Sequence, residues 1–195
     1  MNIISAVNRQ LIPDIASTIG TSFCELESLV MHLQIKSVHF KEWTQNIIKS
    51  CINDNLSFYI AKDGEIASCV IAEIYDPNRT VPYSTEVKPL HDLMYVLESK
   101  VPNYVLADGL TVHVIMCASD VNNKNKGQIT ELCYHIIEQA RSLGAKYMIV
   151  EAINLASQHI FLDKLGFDNL YELEYSDYEM FNGFKGTAVL GVKHL

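Results

Sequence analysis

Arginine is almost missing from this 195-residue chain: Arg9, Arg79 and Arg141 are the only three, against a formal net charge of −8. Nucleic-acid binding draws its free energy from clustered Lys and Arg meeting phosphates, so this scarcity argues against a nucleic-acid partner. Any anion site has to be local. Cys-x-x-Cys pairs are also absent, and the five cysteines, Cys24, Cys51, Cys69, Cys117 and Cys133, are odd in number. Neither a disulfide framework nor a zinc site follows; the pattern reads as reduced, mostly buried thiols of a cytoplasmic protein, with no metal expected. No apolar run approaches membrane-spanning length and MNIISAVNRQ lacks the layout of a signal peptide, so no membrane partner is expected either. Prolines and glycines are scattered and no repeat stands out, which suits one domain over 1–195.

What is present is periodic. Pro13 suits the first turn of a helix running towards Phe23, and a second helix is predicted over Phe40 to Cys51, with the acidic FCELESL between them. LSFYIAKDGEIASCVIAEIYD reads as two strands joined at Lys62-Asp63-Gly64, because Asp-Gly supplies the positive φ angles of a tight hairpin. LHDLMYVLESK is predicted helical, after which VPNY and ADG return the chain to the sheet. LTVHVIMC, Leu110 to Cys117, is a continuous apolar run typical of a central strand covered on both faces. Ile129, Leu132, Cys133, Ile136, Ile137, Ala140 and Leu143 then recur at helical spacing, and Gly144 reads as a left-handed C-cap. YMIVEAI is a further buried strand, LASQHIFLDKL a helix, and YELEYSDYEMF and TAVLGVKHL two closing strands. A hairpin first and β-α-β later predict a mixed sheet.

Between LTVHVIMC and the helical stripe lies NNKNKGQITEL, residues 122–132. A strand feeding a helix through a glycine turn leaves unpaired N–H groups at the positive end of the helix dipole, where an anion fits. Gly127 allows close approach, and Lys124 and Lys126 add positive charge. The competing reading is a solvated turn. Neither the P-loop nor the dinucleotide glycine pattern is present.

From about Leu110 to Phe167 the order of parts resembles the core of the GNAT superfamily, the acetyl-CoA-dependent N-acetyltransferases. The turn [QR]-x-x-G-x-[GA] aligns with Lys124-Asn125-Lys126-Gly127-Gln128-Ile129, Asn154 opens the next helix, and Lys164-Leu165-Gly166-Phe167 matches the K-L-G-F-like close of that helix. Lys124 and Ile129 depart from the pattern, and the bulk of Ile129 bears on the pyrophosphate. Upstream, FCELESL and the Asp-Gly hairpin resemble the insect-type arylalkylamine branch, whose F-x-x-D-E-P-L-like segment carries a catalytic glutamate, here Glu27. The resemblance implies an α+β fold with a mixed, mostly antiparallel sheet of about seven strands flanked by helices. It also implies acetyl transfer from acetyl-CoA to a small primary amine by direct attack in a ternary complex, with a homodimer left open.

Amide formation from a thioester needs a base for the amine proton, donors for the developing oxyanion and an acid for the leaving thiolate. The resemblance puts the backbone around Met116, Cys117 and Ser119 on the pantetheine arm, the amides of Lys124, Asn125, Lys126, Gly127, Gln128 and Ile129 on the pyrophosphate, and Asn154 among the residues that bind the cofactor. Glu27 is the first candidate base, with Glu25 its competitor. His113 is the second: it falls where vertebrate relatives carry one histidine of a relay pair, the partner position being Ile115, and its other reading is a hydrogen-bonded core histidine. The family's usual tyrosine acid is replaced by Leu162, which leaves Ser157 as the nearest serine or a plain helix-start residue. Tyr171, Tyr175 and Tyr178 line the acceptor pocket or are ordinary strand aromatics. Two further classes stay open: a GNAT-fold binding or regulatory module that has lost catalysis, and a protein-modifying acetyltransferase.

Overall fold

The computed structural model describes residues 2–123 and 127–195. In chain order the elements are β1 (Ile4–Ala6), α1 (Ile12–Leu26), α2 (Ser28–His32), α3 (Ser37–Cys51), β2 (Phe58–Lys62), β3 (Glu65–Ile74), α4 (Lys88–Glu98), α5 (Asn103–Ala107), β4 (Thr111–Ser119), α6 (Gln128–Ser142), β5 (Tyr147–Ala152), α7 (Leu155–Gln158), β6 (Asp168–Glu174) and β7 (Thr187–His194). A π-helical turn, His159–Lys164, extends α7.

The strands form one seven-stranded sheet in the order β1-β2-β3-β4-β5-β7-β6, parallel only between β4 and β5. The mixed, mostly antiparallel sheet expected from the sequence is therefore present. Alternation along the strands divides the core in two. Cys69, Ile71, Met116 and Ile149 point to the face covered by α1, α3 and α4, whereas Val70, Val112, Val114 and Val150 meet α6 and Phe161 of the π-helical turn. The hairpin turns on Asp63 and Gly64, both at positive φ (53° and 85°), as Asp-Gly predicts. The stripe of α6 is buried from Leu132 to Ala140, but Leu143 lies outside it and is exposed.

Four sequence expectations shift. FCELESL is not a loop: Phe23 to Leu26 complete α1, Ser28 begins α2, and Glu27 alone is extended between them. The short β1 pairs the outer edge of β2, and α5 interrupts the return to the sheet. YELEYSDYEMF stops being a strand at Glu174, because Tyr175 turns inward, donates its hydroxyl to Ile153 O at 2.6 Å and stacks edge-on against Phe181. Local β propensity gives way there to a buried aromatic anchor. Among the described residues no helix is long and apolar enough to cross a membrane.

Candidate functional site

The parallel pairing of β4 with β5 runs from Thr111↔Tyr147 to Val114↔Val150 and stops. Yet β4 continues to Ser119 on its β3 side, and β5 continues to Ala152 on its β7 side. The two central strands therefore part like a wedge. A bulge explains the divergence: Ile71 faces Met116 while Ala72 faces Val114, so Ile115 is an extra residue that bends β4. Main-chain groups of residues 115–119 that face β5 have no strand partner among the described residues, and buried backbone groups in that state need one.

Around the wedge lies a cavity of about 1370 Å³ whose walls include Glu27, Tyr75, Glu98, His113, Glu151 and Asn154. It exceeds the roughly 300–1,000 Å³ of an ordinary ligand cleft and has room for two reactants. Met116 is buried towards α3, with its sulfur 3.9 Å from Thr44 Oγ1. Cys117 points to the opposite face, and burial pushes its thiol up to about 12, so it stays protonated. Ser119 ends β4 with its hydroxyl 2.8 Å from that of Ser68.

Beyond Ser119 comes the glycine turn. Lys124, Asn125 and Lys126 lie outside the described residues. Gly127 is left-handed (φ 74°), and a Cβ there would meet nothing within 4 Å among the described residues. Among the described residues no side chain caps α6, and its first-turn N–H groups, including those of Gln128 and Ile129, have no intrahelical partners. The Gln128 side chain is buried and accepts from Ser68 Oγ at 2.9 Å, which ties the turn to β3. Ile129 packs against the core beneath α6 while also lining the cavity.

At the other wall, Glu27 is 7 % exposed, whereas its competitor Glu25 is exposed on the last turn of α1. One Glu27 oxygen accepts from Leu29 N–H at 3.2 Å and the other from the Asn154 side-chain amide. Burial pushes the Glu27 carboxyl above its ordinary range, and the bonds from Leu29 and Asn154 oppose that rise. Asn154 is itself fixed by a reciprocal cap: its Oδ1 accepts from Ser157 N–H at 2.8 Å, and Ser157 Oγ accepts from Asn154 N–H at 3.2 Å and donates to Asn154 O at 2.9 Å. The structure thus joins Ser157, Asn154 and Glu27 in one chain of contacts. Leu162, in the tyrosine position, packs into the core beneath α6.

His113 does not stand alone on its strand. It is 3 % exposed, with Nδ1 3.2 Å from Glu73 Oε1 and Nε2 2.7 Å from Glu151 Oε2. Burial opposes its charge, but the carboxylates of Glu151, Glu73 and Glu98 hold it well above the usual imidazole range, so it is an imidazolium. Arg79 pairs with Glu73 and, at 3.3 Å, with Asp54. Glu73, Glu98 and Glu151 escaped the sequence reading. A signal existed for two of them: each is an acid inside an apolar strand, CVIAEIY and YMIVEAI, where a carboxylate needs a partner.

No protein-family profile matches the chain. Among solved structures, arylalkylamine N-acetyltransferase 2 from Aedes aegypti superposes with a TM-score of 0.82 at 18 % identity, over 98 % of each chain. The C-terminal condensation domain of Ebony, in complex with β-alanyl-dopamine, does so with 0.84 at 15 % identity over 100 % of both chains. Drosophila melanogaster polyamine N-acetyltransferase, which forms N-acetylagmatine, gives 0.75 at 14 % identity, again over 100 % of both. At these identities the likeness establishes architecture: the chain has the GNAT acyltransferase fold.

Proposed function

We propose that the protein is an N-acetyltransferase that moves acetyl from acetyl-CoA to a small primary amine in a ternary complex. The β4–β5 wedge carries the reading. Its unpaired main chain at residues 115–119 offers the hydrogen bonds an extended amide-containing arm needs, as an added strand would, and the uncapped start of α6 suits a pyrophosphate. Two of the three fold neighbours are named as amine N-acetyltransferases, which supports the reaction class.

In this reading the amine, as free base, attacks the thioester carbonyl from the side of Glu27. A C–N bond forms, the C–S bond breaks, the ammonium proton passes to the Glu27 carboxylate, and the thiolate leaves to be protonated. A base raised by burial retains basicity at neutral pH. Asn154 holds Glu27 in place, and Ser157, through the cap, holds Asn154. Main-chain N–H groups near Met116, Cys117 and Ser119 polarise the carbonyl. His113, charged and held between carboxylates, positions the acceptor side of the cavity and takes no proton from the amine.

Two measurements test this. Acetyl-CoA should raise the Tm, and amines should release free thiol from it in a colorimetric assay; binding without turnover across an amine panel would leave a GNAT-fold binding module. Gly127→Ala should lower stability by about 1–2 kcal/mol, the cost of a left-handed alanine. Because a Cβ there meets nothing within 4 Å among the described residues, a loss of acetyl-CoA affinity by calorimetry beyond that conformational cost reports the ligand. Unchanged affinity would remove the turn from the binding site.

A further inference from the structure

The acids around His113 outnumber their cations. Among the described residues, the cations that Asp54, Glu73, Glu98 and Glu151 face are Arg79 and His113. Arg79 occupies Asp54 and Glu73, and the two ring nitrogens of His113 occupy one oxygen each of Glu73 and Glu151. The other oxygen of Glu151 is left over. That side chain is 2 % exposed, and its Oε1 is buried with no hydrogen-bond partner among the described residues. An unmet carboxylate oxygen in a cavity wall calls for a donor. Glu98, at the end of α4, brings its carboxylate to the same spot: ligand atoms of Glu98, His113 and Glu151 all lie within 4.8 Å of one another. Tyr75 lines the same cavity.

We infer that this pocket seats a second positive charge of the acceptor, so that the preferred substrate is a diamine or guanidino-amine rather than a monoamine. The inference rests on the acetyl-transfer reading and adds the chemical class of the amine. An ammonium carries three donors, enough for Glu151 Oε1 and the Glu98 carboxylate together. Burial first, and then the charge of Glu151, pushes the Glu98 carboxyl up to about 7, and a cation arriving beside it favours its ionised form. Position also fits. Glu151 is the first β5 residue past the last β4–β5 pair, and Asn154, which holds Glu27, lies three residues further, at most roughly 11 Å of extended chain. A flexible diamine bridges the two ends, with one nitrogen at Glu27 and the other at Glu98 and Glu151. A metal ion fits less well, because it needs a neutral imidazole with a free lone pair, and both His113 nitrogens already lie against carboxylate oxygens of Glu73 and Glu151.

The experiment compares 1,5-diaminopentane with n-pentylamine, molecules of matched length that differ in one terminal charge. Calorimetry on the CoA-loaded protein should give roughly 10- to 100-fold tighter binding of the diamine, the range expected for a charged hydrogen bond. The same preference should appear in kcat/KM for acetylation. Glu98→Gln should bring the diamine-to-monoamine ratio close to one. A ratio near one in the wild type overturns the inference, as does a preference that survives Glu98→Gln. If pentylamine is acetylated in either case, acetyl transfer itself stands; acetyl-CoA binding with neither amine bound nor acetylated sinks both. Zn²⁺ added to chelator-stripped protein is the third arm. A rise in Tm that disappears in Glu98→Gln makes the cluster a metal site and overturns the diamine assignment.

Discussion

Replacing Glu27 with glutamine is expected to lower kcat/KM for amine acetylation by about 10²- to 10⁴-fold, the range contributed by a positioned general base. Acetyl-CoA affinity should be unchanged, because the proposed reading gives Glu27 to the acceptor and the α6 turn to the cofactor. The substitution is not silent for the fold. The two Glu27 oxygens accept from two donors, Leu29 N–H and the Asn154 amide, and glutamine has one acceptor oxygen to offer them. A modest Tm loss should therefore accompany the kinetic loss, of the order of the 1–3 kcal/mol of one unmet buried group. The pH profile separates the two effects. In the proposed reaction ionised Glu27 is the working form, and burial raises its carboxyl above the ordinary range. Log kcat/KM in the wild type should gain an extra unit of slope below that raised pKa, and the variant should lose it. Glu27→Asp, which keeps the charge but withdraws it by one methylene, should fall between the two. Turnover untouched by Glu27→Gln would remove the assigned base.

Where the sequence was readable, one strand and one helix explain why. LTVHVIMC is apolar on both faces because β4 is covered on both faces, and the α6 stripe keeps helical spacing because one side meets the sheet. Those are local periodicities, and they located the glycine turn. The wedge was not legible, since it depends on where pairing stops between strands that lie a helix apart, and on a bulge at Ile115 that no residue type announces. Glu27 was found through a degenerate motif, but its hold on Asn154 spans 127 positions. His113 was found on its strand, and its partner was sought at Ile115 on the same strand. The true partners, Glu73 and Glu151, sit 40 and 38 residues away on the flanking strands, where only the folded register brings them opposite.

That register makes His113→Leu the substitution with the largest expected cost in stability. Leucine fills a similar volume but removes the one cation between Glu73 and Glu151, whose side chains are 8 % and 2 % exposed. Breaking a buried pair by deleting one partner costs about 3–5 kcal/mol, because the remaining charge stays out of water. The variant should unfold at clearly lower denaturant with an unchanged m-value. The sign with pH follows from linkage. The folded pKa of His113 is raised, so its contribution is complete below the unfolded value of about 6.5 and is lost as pH rises through the folded pKa. Glu98 acts in the same direction: its carboxyl is raised to about 7 in the fold, so the folded state binds the extra proton between the ordinary carboxylate range and pH 7, and stability falls as pH climbs through that window. The gap in stability between wild type and His113→Leu should hence be widest near pH 5 to 6 and close towards alkaline pH. A gap that widens with pH would mean that the fold takes up no proton at His113 and that the imidazole is neutral there.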